Sequence, residues 1–493
     1  MTGPLYIAVD LGAGSGRVFL VGVDPGEFFI EEIHRFQYPP IIEDGHLRWD
    51  FPHIFAEIKL GLKAAGLRAG ELGRSIRSLG VDSWGVDYGL LDCEGELIAN
   101  PVCYRDGRTW GAMERVFAAI PRSEIFEKTG IQFQNFNTLY QLYSDGERVA
   151  NADKLLLLPD LINYFLTGNA VAEYTNATTT QMLNAATGDW DADLLEKLGL
   201  RASLLQQVIP AGTDLGALKP EIKDETGLHN VSVIAPATHD TASAVAGAPL
   251  SESSAYISSG TWSLIGIERG EAHINAAVAK QNFTNEGGVF GTIRFLKNVM
   301  GLWIFESCRR EWRVAGIDVE YDTILREVTA ATGFKAFIFP DDPRFLNPLS
   351  MLDAIAEQIS ESGQEVEHSP AAISKVIFDS LAFRYASVLR SIKSLAGKQL
   401  ESIQILGGGG RNGYLNQMTA NASGLTAYAG LTEATVVGNV LVQAVAGGRF
   451  DSITDAREHV RQNVELTSYS PQRSAEIDEA ASRYASVETQ FAG

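Results

Sequence analysis

Short apolar runs that end in small or acidic residues predict a chain of buried strands joined by tight turns. Residues 5–11 fit one strand and residues 17–23 a second. Residues 12–16 between them are too few for a parallel crossover, so we predict a hairpin. Residues 255–258 and 262–267 repeat this pattern around a Ser-Gly-Thr turn about 250 residues later. The repetition predicts two similar units, one in each half of the chain.

The remaining pattern mixes helical and strand periods, which favours an α/β fold. Asp50 is suited to cap a helix to about residue 66, with Pro52 tolerated in its first turn. Further helices are predicted at 154–166 (interrupted near Pro159), at 374–394, from about 414, and at 433–446. Further strands are predicted at 76–81, at 85–92 as its return strand, at 231–235 and at 401–406. The tail after residue 449 is predicted to be helical.

Composition narrows the class of protein. The 493 residues are 45% hydrophobic and 20% charged, as in a soluble enzyme of two or three domains. A net charge of −21 argues against binding to nucleic acid or to an anionic membrane. Three cysteines, no secretory signal pattern and no membrane-spanning run predict reduced thiols and a cytoplasmic location. A boundary near residues 246–254 predicts domains of 1–247 and 248–493.

The segment 80–91 carries two acids, Asp82 and Asp87, around a Trp84-Gly85 step. Acids beside an aromatic face suit a polyhydroxylated ligand, so we predict a sugar pocket here. The alternative is a half-buried hairpin with acids in its turn.

The first hairpin turn has the composition of an anion site. Glycines let backbone N–H groups approach a phosphate, and Ser15 and Arg17 add donors. Asp10, at the strand end, is suited to hold a hydrated Mg²⁺. The alternative is an ordinary hairpin turn with a surface aspartate.

His239, Asp240 and Thr241 follow another predicted strand. Asp240 is suited to accept the proton of a hydroxyl that attacks phosphorus. The alternative is that Asp240 caps the helix that follows.

A glycine-rich turn raises a competing function. Gly408, Gly410 and Gly413 have the G-x-G-x-x-G spacing of a dinucleotide site, and Glu433 lies about twenty residues later. An NAD-dependent oxidoreductase therefore stays an alternative. It leaves the motifs around Asp10, Asp82, Asp240 and Thr261 without a role, whereas a kinase uses all of them.

Together these motifs resemble the FGGY family of carbohydrate kinases, and within it the branch that phosphorylates L-rhamnulose. The resemblance runs from about residue 5 to 445. Its stretches are residues 8–17, 80–92, 104–106, 130–141, 173–181, 239–245, 258–264, 284–288, 297–303 and 407–417. It implies two ribonuclease-H-like domains of the actin-like ATPase fold with the active site in the cleft. The implied activity is ATP-dependent formation of L-rhamnulose 1-phosphate with Mg²⁺.

The resemblance also implies roles for individual residues. Asp240 would be the catalytic base. The sugar would contact Gly85, Asn298, His239, Asp240 and Thr241, with Asp82 and Trp84 as pocket walls. ATP would contact Ala13, Gly14, Ser15, Gly16, Arg17, Gly260, Thr261, Glu306 and Gly408. The N-terminal domain would bind the sugar and the C-terminal domain the nucleotide.

The chain departs from the family pattern at Glu306, where a glutamine is expected, and at Arg411, an extra basic residue in the glycine turn. Two further alternatives stay open. The sugar is another ketose, such as L-fuculose, L-xylulose or L-ribulose, or the chain is a non-catalytic ATP-binding scaffold. A homo-oligomer is compatible with the sequence.

Overall fold

The computed structural model describes residues 3–317, 320–331 and 333–492. The predicted outer domain ends, residues 1 and 493, therefore lie outside the described residues. The chain divides into two compact units, the first formed by residues 1–249, 268–295 and 434–464, and the second by 250–267, 296–433 and 465–493. The described strands form two large mixed β-sheets and several two-stranded ones.

The strands, in chain order, are β1 (Leu5–Gly12), β2 (Ser15–Asp24), β3 (Glu27–Gln37), β4 (Ile41–Glu43), β5 (His46–Arg48), β6 (Ile76–Ser83), β7 (Tyr88–Leu91), β8 (Lys154–Leu157), β9 (Ala172–Glu173), β10 (Leu183–Asn184), β11 (Asp189–Trp190), β12 (Val208–Ile209), β13 (Asp214–Ala217), β14 (Ser232–Ile234), β15 (Ser254–Ser259), β16 (Trp262–Arg269), β17 (Thr284–Gly287), β18 (Ile293–Met300), β19 (Ser402–Leu406), β20 (Thr426–Ala429) and β21 (Thr467–Tyr469).

The helices are α1 (Phe51–Glu71), α2 (Ala112–Ala119), α3 (Arg122–Thr129), α4 (Thr138–Asp145), α5 (Leu158–Thr167), α6 (Tyr174–Ala177), α7 (Ala192–Lys197), α8 (Pro220–Thr226), α9 (Asp240–Gly247), α10 (Ala276–Lys280), α11 (Trp303–Val314), α12 (Tyr321–Ala330), α13 (Met351–Glu361), α14 (Pro370–Ala396), α15 (Gly413–Ser423), α16 (Ala434–Ala446), α17 (Ile453–Asn463) and α18 (Ala475–Phe491).

Both predicted hairpins are present and start equivalent sheets. The first sheet has the order β13-β14-β6-β1-β2-β3, and the second the order β17-β18-β16-β15-β19-β20-β21. In each, the opening hairpin is antiparallel, and its first strand pairs in parallel with a strand that comes much later (β1 with β6, β15 with β19). The predicted duplication is confirmed by this shared connectivity.

Helix α1 packs against the first sheet through the apolar face that its sequence predicts. Asp50 caps α1 by accepting the N–H of His53, as predicted, and the helix continues to Glu71. Ile54, Ile58 and Leu62 of α1 are fully buried in the core cluster that includes strand residues of β1, β2 and β6. This packing places α1 against the first sheet.

Two local predictions are wrong. The strand β7 does not return along β6 but pairs antiparallel with β8. Residues 154–157 form that partner strand, so the predicted helix begins only at Leu158, with Pro159 in its first turn. In β7 and β8 the partner strand lies far along the chain, and apolar runs this short fit either a helix or a strand. The predicted helical tail is confirmed by α17 and α18, and it also contains β21, which pairs with β20.

Candidate active site

Two carboxylates lie side by side where β1 and β6 end. Asp10 and Asp82 are direct partners in the parallel pairing of these strands. Asp10 also faces Arg17 across the first hairpin, and its Oδ2 accepts a bond from Arg17 Nη2 at 2.5 Å. One guanidinium thus partly balances two acids at the edge of the sheet.

Asp82 is fully buried, and only one of its two carboxylate oxygens accepts a hydrogen bond from a residue that the structure describes. Its Oδ2 accepts a hydrogen bond from Asn439 Nδ2 on α16 at 2.5 Å. Its Oδ1 has no hydrogen-bond partner among the described residues. Burial, and then the charges of Asp10 and Asp240, raise the pKa of Asp82 well above its usual value. The surroundings of Asp82 therefore favour its protonated form.

Asp240 is the first residue of α9, and His239 precedes it as the cap. The helix-cap alternative for Asp240 is therefore wrong. Its Oδ1 accepts bonds from Thr241 N at 2.5 Å and Thr241 Oγ1 at 3.1 Å. Burial, followed by the charge of Asp10, raises its pKa to about 7. Its side chain is still 30% exposed, so a ligand can reach it.

A buried glutamate that sequence reasoning left without a role fixes the backbone before Asp240. Glu173 Oε2 accepts bonds from Thr238 N at 3.0 Å, Thr238 Oγ1 at 2.9 Å and Thr175 Oγ1 at 2.5 Å. Thr238 O in turn accepts the N–H of Ser83 at the end of β6 at 2.9 Å. The segment that leads from β14 to Asp240 is thereby tied to the end of β6, the strand that carries Asp82.

The first hairpin turn presents open backbone, as an anion site requires. Gly14 has φ +135°, and no atom lies within 4 Å of where its Cβ would be. Tyr38 Oη donates to the carbonyls of Gly12 at 2.6 Å and Ser15 at 2.9 Å, which holds the turn in shape. Ala13 is exposed, while Gly16 is buried against Phe36. Of residues 13–17, the tip is thus the accessible part.

The segment 80–91 corrects part of the predicted sugar pocket. Asp87 is 1% exposed, and its Oδ2 accepts the indole N–H groups of Trp49 at 2.7 Å and Trp84 at 2.9 Å. Asp87 is therefore a structural anion, and the polar atom of Trp84 is already engaged. A Cβ at Gly85 would lie 3.0 Å from Thr179 Oγ1, so this backbone lies close to the 173–181 segment.

Val86, beside Gly85, has φ +71°, which is rare for a β-branched residue. Thr138 Oγ1 donates to its carbonyl at 2.8 Å, and Gln141 Nε2 does so at 3.2 Å. Strained backbone of this kind persists only when its surroundings enforce it.

The second unit brings two glycine turns together. The tip of the β15–β16 hairpin, Gly260 and Thr261, is exposed. A Cβ at Gly409 would lie 2.0 Å from Ser259 Oγ, so the 407–410 turn packs directly on this hairpin. Gly408 is exposed, with no atom within 4 Å of a Cβ position. Backbone at both turns is open to a ligand.

Glu306 lies in the first turn of α11, one helical turn beyond the 260–261 tip. Leu302 N donates to Gly260 O at 2.9 Å, and Glu306 N donates to Leu302 O at 2.9 Å. Arg309 Nη1 binds both oxygens of Glu306 at 2.9 Å, so its charge is paired locally. Asn298 is half-buried on β18.

The carboxylate set fits a divalent cation that keeps much of its water. In the described part of the chain no group of three His, Cys, Asp or Glu residues is placed to ligate a metal directly. The carboxylate oxygen donors and the unpaired Oδ1 of Asp82 suit a hard cation whose remaining ligands are water and phosphate. Asp10, at the mouth of the first hairpin, is the residue suited to hold it.

Comparison with known proteins decides the family. Residues 5–247 match the N-terminal domain of the FGGY family of carbohydrate kinases, and residues 255–447 match its C-terminal domain. The chain is an FGGY carbohydrate kinase. The predicted resemblance is confirmed, and this sugar kinase belongs to a family that uses ATP, which implies a divalent metal.

Curated relatives cover almost all of this FGGY kinase. It is 42% identical over 480 residues to a rhamnulokinase of Bacteroides thetaiotaomicron, spanning 96% of this chain and 97% of the relative. A rhamnulokinase of Bacillus subtilis is 38% identical over 469 residues, 95% of each chain.

Solved structures support the fold. The ligand-bound xylulose kinase of Lactobacillus acidophilus superposes with a TM-score of 0.80 at 15% identity, covering 99% of this chain and 97% of that one. The Plasmodium falciparum glycerol kinase with ADP gives 0.79 at 12% identity, covering 99% and 98%. The predicted two-domain α/β architecture of the actin-like ATPase fold is confirmed.

The oxidoreductase alternative is not supported. Both family matches are carbohydrate kinase domains. The G-x-G-x-x-G spacing is instead built as a short 3₁₀ turn, Gly408–Arg411, followed by α15.

Among the described helices none is both long and apolar enough to cross a bilayer.

Proposed function

We propose that this FGGY kinase transfers the γ-phosphoryl group of ATP to the 1-hydroxyl of L-rhamnulose in the cytoplasm, with Mg²⁺ as the metal. Support for the sugar comes from relatives named rhamnulokinase at 38–42% identity over nearly the whole chain. Support for the chemistry comes from Asp240, an accessible carboxylate beside two further acids. That placement of Asp240 is the observation on which the proposal depends.

In the proposed reaction Asp240 binds the sugar hydroxyl and takes its proton as the oxygen attacks phosphorus. A base with a pKa near 7 is matched to a cytoplasmic pH, where it is partly ionised and still basic enough to accept the proton. Thr241 holds the carboxylate by two bonds to Oδ1, which leaves Oδ2 for the substrate. Positioning and charge stabilisation supply the rest of the acceleration.

The turn at residues 13–17 is assigned to the ATP phosphates. Its backbone is accessible at Ala13 and Gly14, and Arg17 supplies hydrogen-bond donors and positive charge. Mg²⁺ bound near Asp10 would neutralise charge on the phosphates during transfer. In the second unit, Gly260, Thr261, Gly408 and Glu306 are assigned to ATP and Asn298 to the sugar. In the first unit, Gly85, His239 and Thr241 are assigned to the sugar, with Asp82 and Trp84 as candidate pocket walls.

A screen of ketoses tests the proposal. ADP release is measured with L-rhamnulose, L-fuculose, L-ribulose, L-xylulose and D-xylulose at fixed ATP and Mg²⁺. The highest kcat/KM is expected with L-rhamnulose, and phosphorus NMR of the product should show a phosphate ester on carbon 1. A clear preference for another ketose would overturn the assigned sugar. Nucleotide binding without ADP release on any sugar would favour the scaffold alternative.

Activity is expected to fall on the acid side of neutrality. The pKa of Asp240 is raised, so the carboxylate that acts as base is lost as the pH falls through about 7. Below that pH, kcat/KM for the sugar should drop about tenfold per unit. A cation beside Asp10 favours the ionised form, so raising the Mg²⁺ concentration should move this limb to lower pH. A profile that is flat from pH 8 to pH 5 would contradict the role of Asp240.

A further inference from the structure

His239 lies between Asp240 and a buried ion pair that the proposed mechanism does not use. Its Nδ1 is 3.0 Å from Arg294 Nη2 and 3.6 Å from Glu286 Oε2. Its Nε2 is 3.5 Å from Asp240 Oδ1. Arg294 and Glu286 follow one another closely in the chain, on β18 and β17, and all four residues belong to the first unit.

The surroundings hold the Arg294 guanidinium in place. It is 0% exposed, its Nε donates to Gly287 O at 2.8 Å, and its Nη2 is 3.1 Å from Glu286 Oε2. Gly287 N is itself bonded to Thr178 Oγ1 at 2.8 Å. Nη2 therefore forms an ion pair with Glu286 Oε2 and lies at hydrogen-bond distance from His239 Nδ1.

An arginine side chain has donors and no acceptor. Wherever it meets a histidine nitrogen at hydrogen-bond distance, that nitrogen must accept and so carries no proton. The proton of neutral His239 is then on Nε2, the nitrogen that faces Asp240. Protonation of Nδ1 would direct two donors at each other inside the protein, next to a buried positive charge.

We propose that Arg294 is a positioning residue that fixes His239 as the neutral Nε2–H tautomer, so that His239 donates a hydrogen bond to a sugar oxygen beside the hydroxyl bound by Asp240. This step rests on the proposed sugar kinase function. At 3.5 Å, Nε2 is too far from Asp240 for a strong hydrogen bond, so its N–H remains available to an acceptor on the ligand. Asp240 is then the only proton acceptor of the pair.

The tautomer can be read directly from the full-length protein without substrate. The chain has eight histidines, so nitrogen-15 histidine labelling gives a simple spectrum, and loss of one signal pair in His239→Gln assigns it. We expect the shifts of a neutral ring with Nε2 protonated, unchanged between about pH 5.5 and 8.5. A signal that titrates in that range, or an Nδ1–H tautomer, would overturn the proposal. This measurement needs no folded Arg294 variant.

Substitution of Arg294 supplies a second readout. In Arg294→Met the charged groups that face His239 are Asp240 and Glu286, and both favour the protonated, positively charged His239 ring. We expect His239 to titrate, KM for the sugar to rise roughly three- to tenfold, and that rise to grow at low pH. Arg294→Lys also presents only donors and should restore part of the wild-type pH dependence.

The matched control is Arg74→Met, which removes another buried arginine of the same unit that is paired with Asp24 at 2.7 Å. It should lower stability and leave the pH dependence of the sugar KM unchanged. If Arg294→Met behaved in the same way, the role of Arg294 would be purely structural. The spectrum of the free protein does not depend on which sugar is used, so a wrong sugar assignment and a wrong tautomer assignment give different results.

Discussion

Replacing Asp240 with asparagine is expected to lower kcat roughly 10²–10⁴-fold, the scale of general-base catalysis. Asparagine keeps the shape of the side chain and an oxygen that can accept the two bonds from Thr241. It cannot take a proton from the sugar hydroxyl at neutral pH. KM for ATP should therefore stay close to the wild-type value, and ADP release under saturating substrates measures the loss.

The same substitution should increase stability at high pH. The folded-state pKa of Asp240 is about 7 and the ordinary value is 3.8, so the folded chain binds more protons between those values. Wild-type stability therefore decreases as the pH rises through this window. The gain in Asp240→Asn should be near zero at pH 4 and reach about 1–2 kcal/mol at pH 8. The full pKa shift of Asp240 would correspond to a larger gain in stability, but 30% of its side chain is exposed and solvent screens its charge.

The control is Asp224→Asn, an exposed aspartate on α8 in the same unit. It should leave kcat unchanged. Near-normal turnover in Asp240→Asn would remove Asp240 from the chemistry. Lost turnover without the pH-dependent gain in stability would mean that Asp240 is not held near the other acids.

The hairpins and their candidate ligands were predictable because the signals are local. An apolar run, a turn too short for a crossover and an acid at the strand end together indicate the positions of Asp10 and Gly14. Asp10 and Asp82 end neighbouring parallel strands, so the structure brings them together as direct partners. The same applies in the second unit to Gly260 and Gly408, which follow β15 and β19.

The partners of these residues were not predictable. Asn439, which binds Asp82, lies on a helix 357 positions away. Nothing in the sequence near Asn439 indicates that this buried asparagine contacts a carboxylate. Arg294 acts on His239 from 55 residues away. Glu173 and Glu286 fall in stretches that resemble the family, yet nothing near them in sequence indicates what they bind. Asp87 was misassigned because whether an acid meets solvent or an indole N–H depends on tertiary packing.

Replacing Gly438 with alanine is expected to destabilise the first unit by about 3 kcal/mol or more, although alanine favours helices. A Cβ at this position of α16 would lie 1.7 Å from Ser243 O and 2.7 Å from Gly247 N on α9. These are backbone atoms within a helix, so relief requires moving one helix away from the other. Because α9 begins at Asp240 and α16 carries Asn439, any folded fraction should also lose turnover.

The matched control is Gly70→Ala on α1, where no atom lies within 4 Å of the added methyl group. It should stabilise the protein by about 0.5–1 kcal/mol through helix propensity alone. Urea unfolding of both variants, followed by circular dichroism, measures the change in the free energy of unfolding. The same substitution of glycine by alanine should lower this free energy at position 438 and raise it at position 70. Equal gains in the two variants would mean that α9 and α16 do not approach as closely as described, and that the backbone carrying Asp240 is positioned by other contacts.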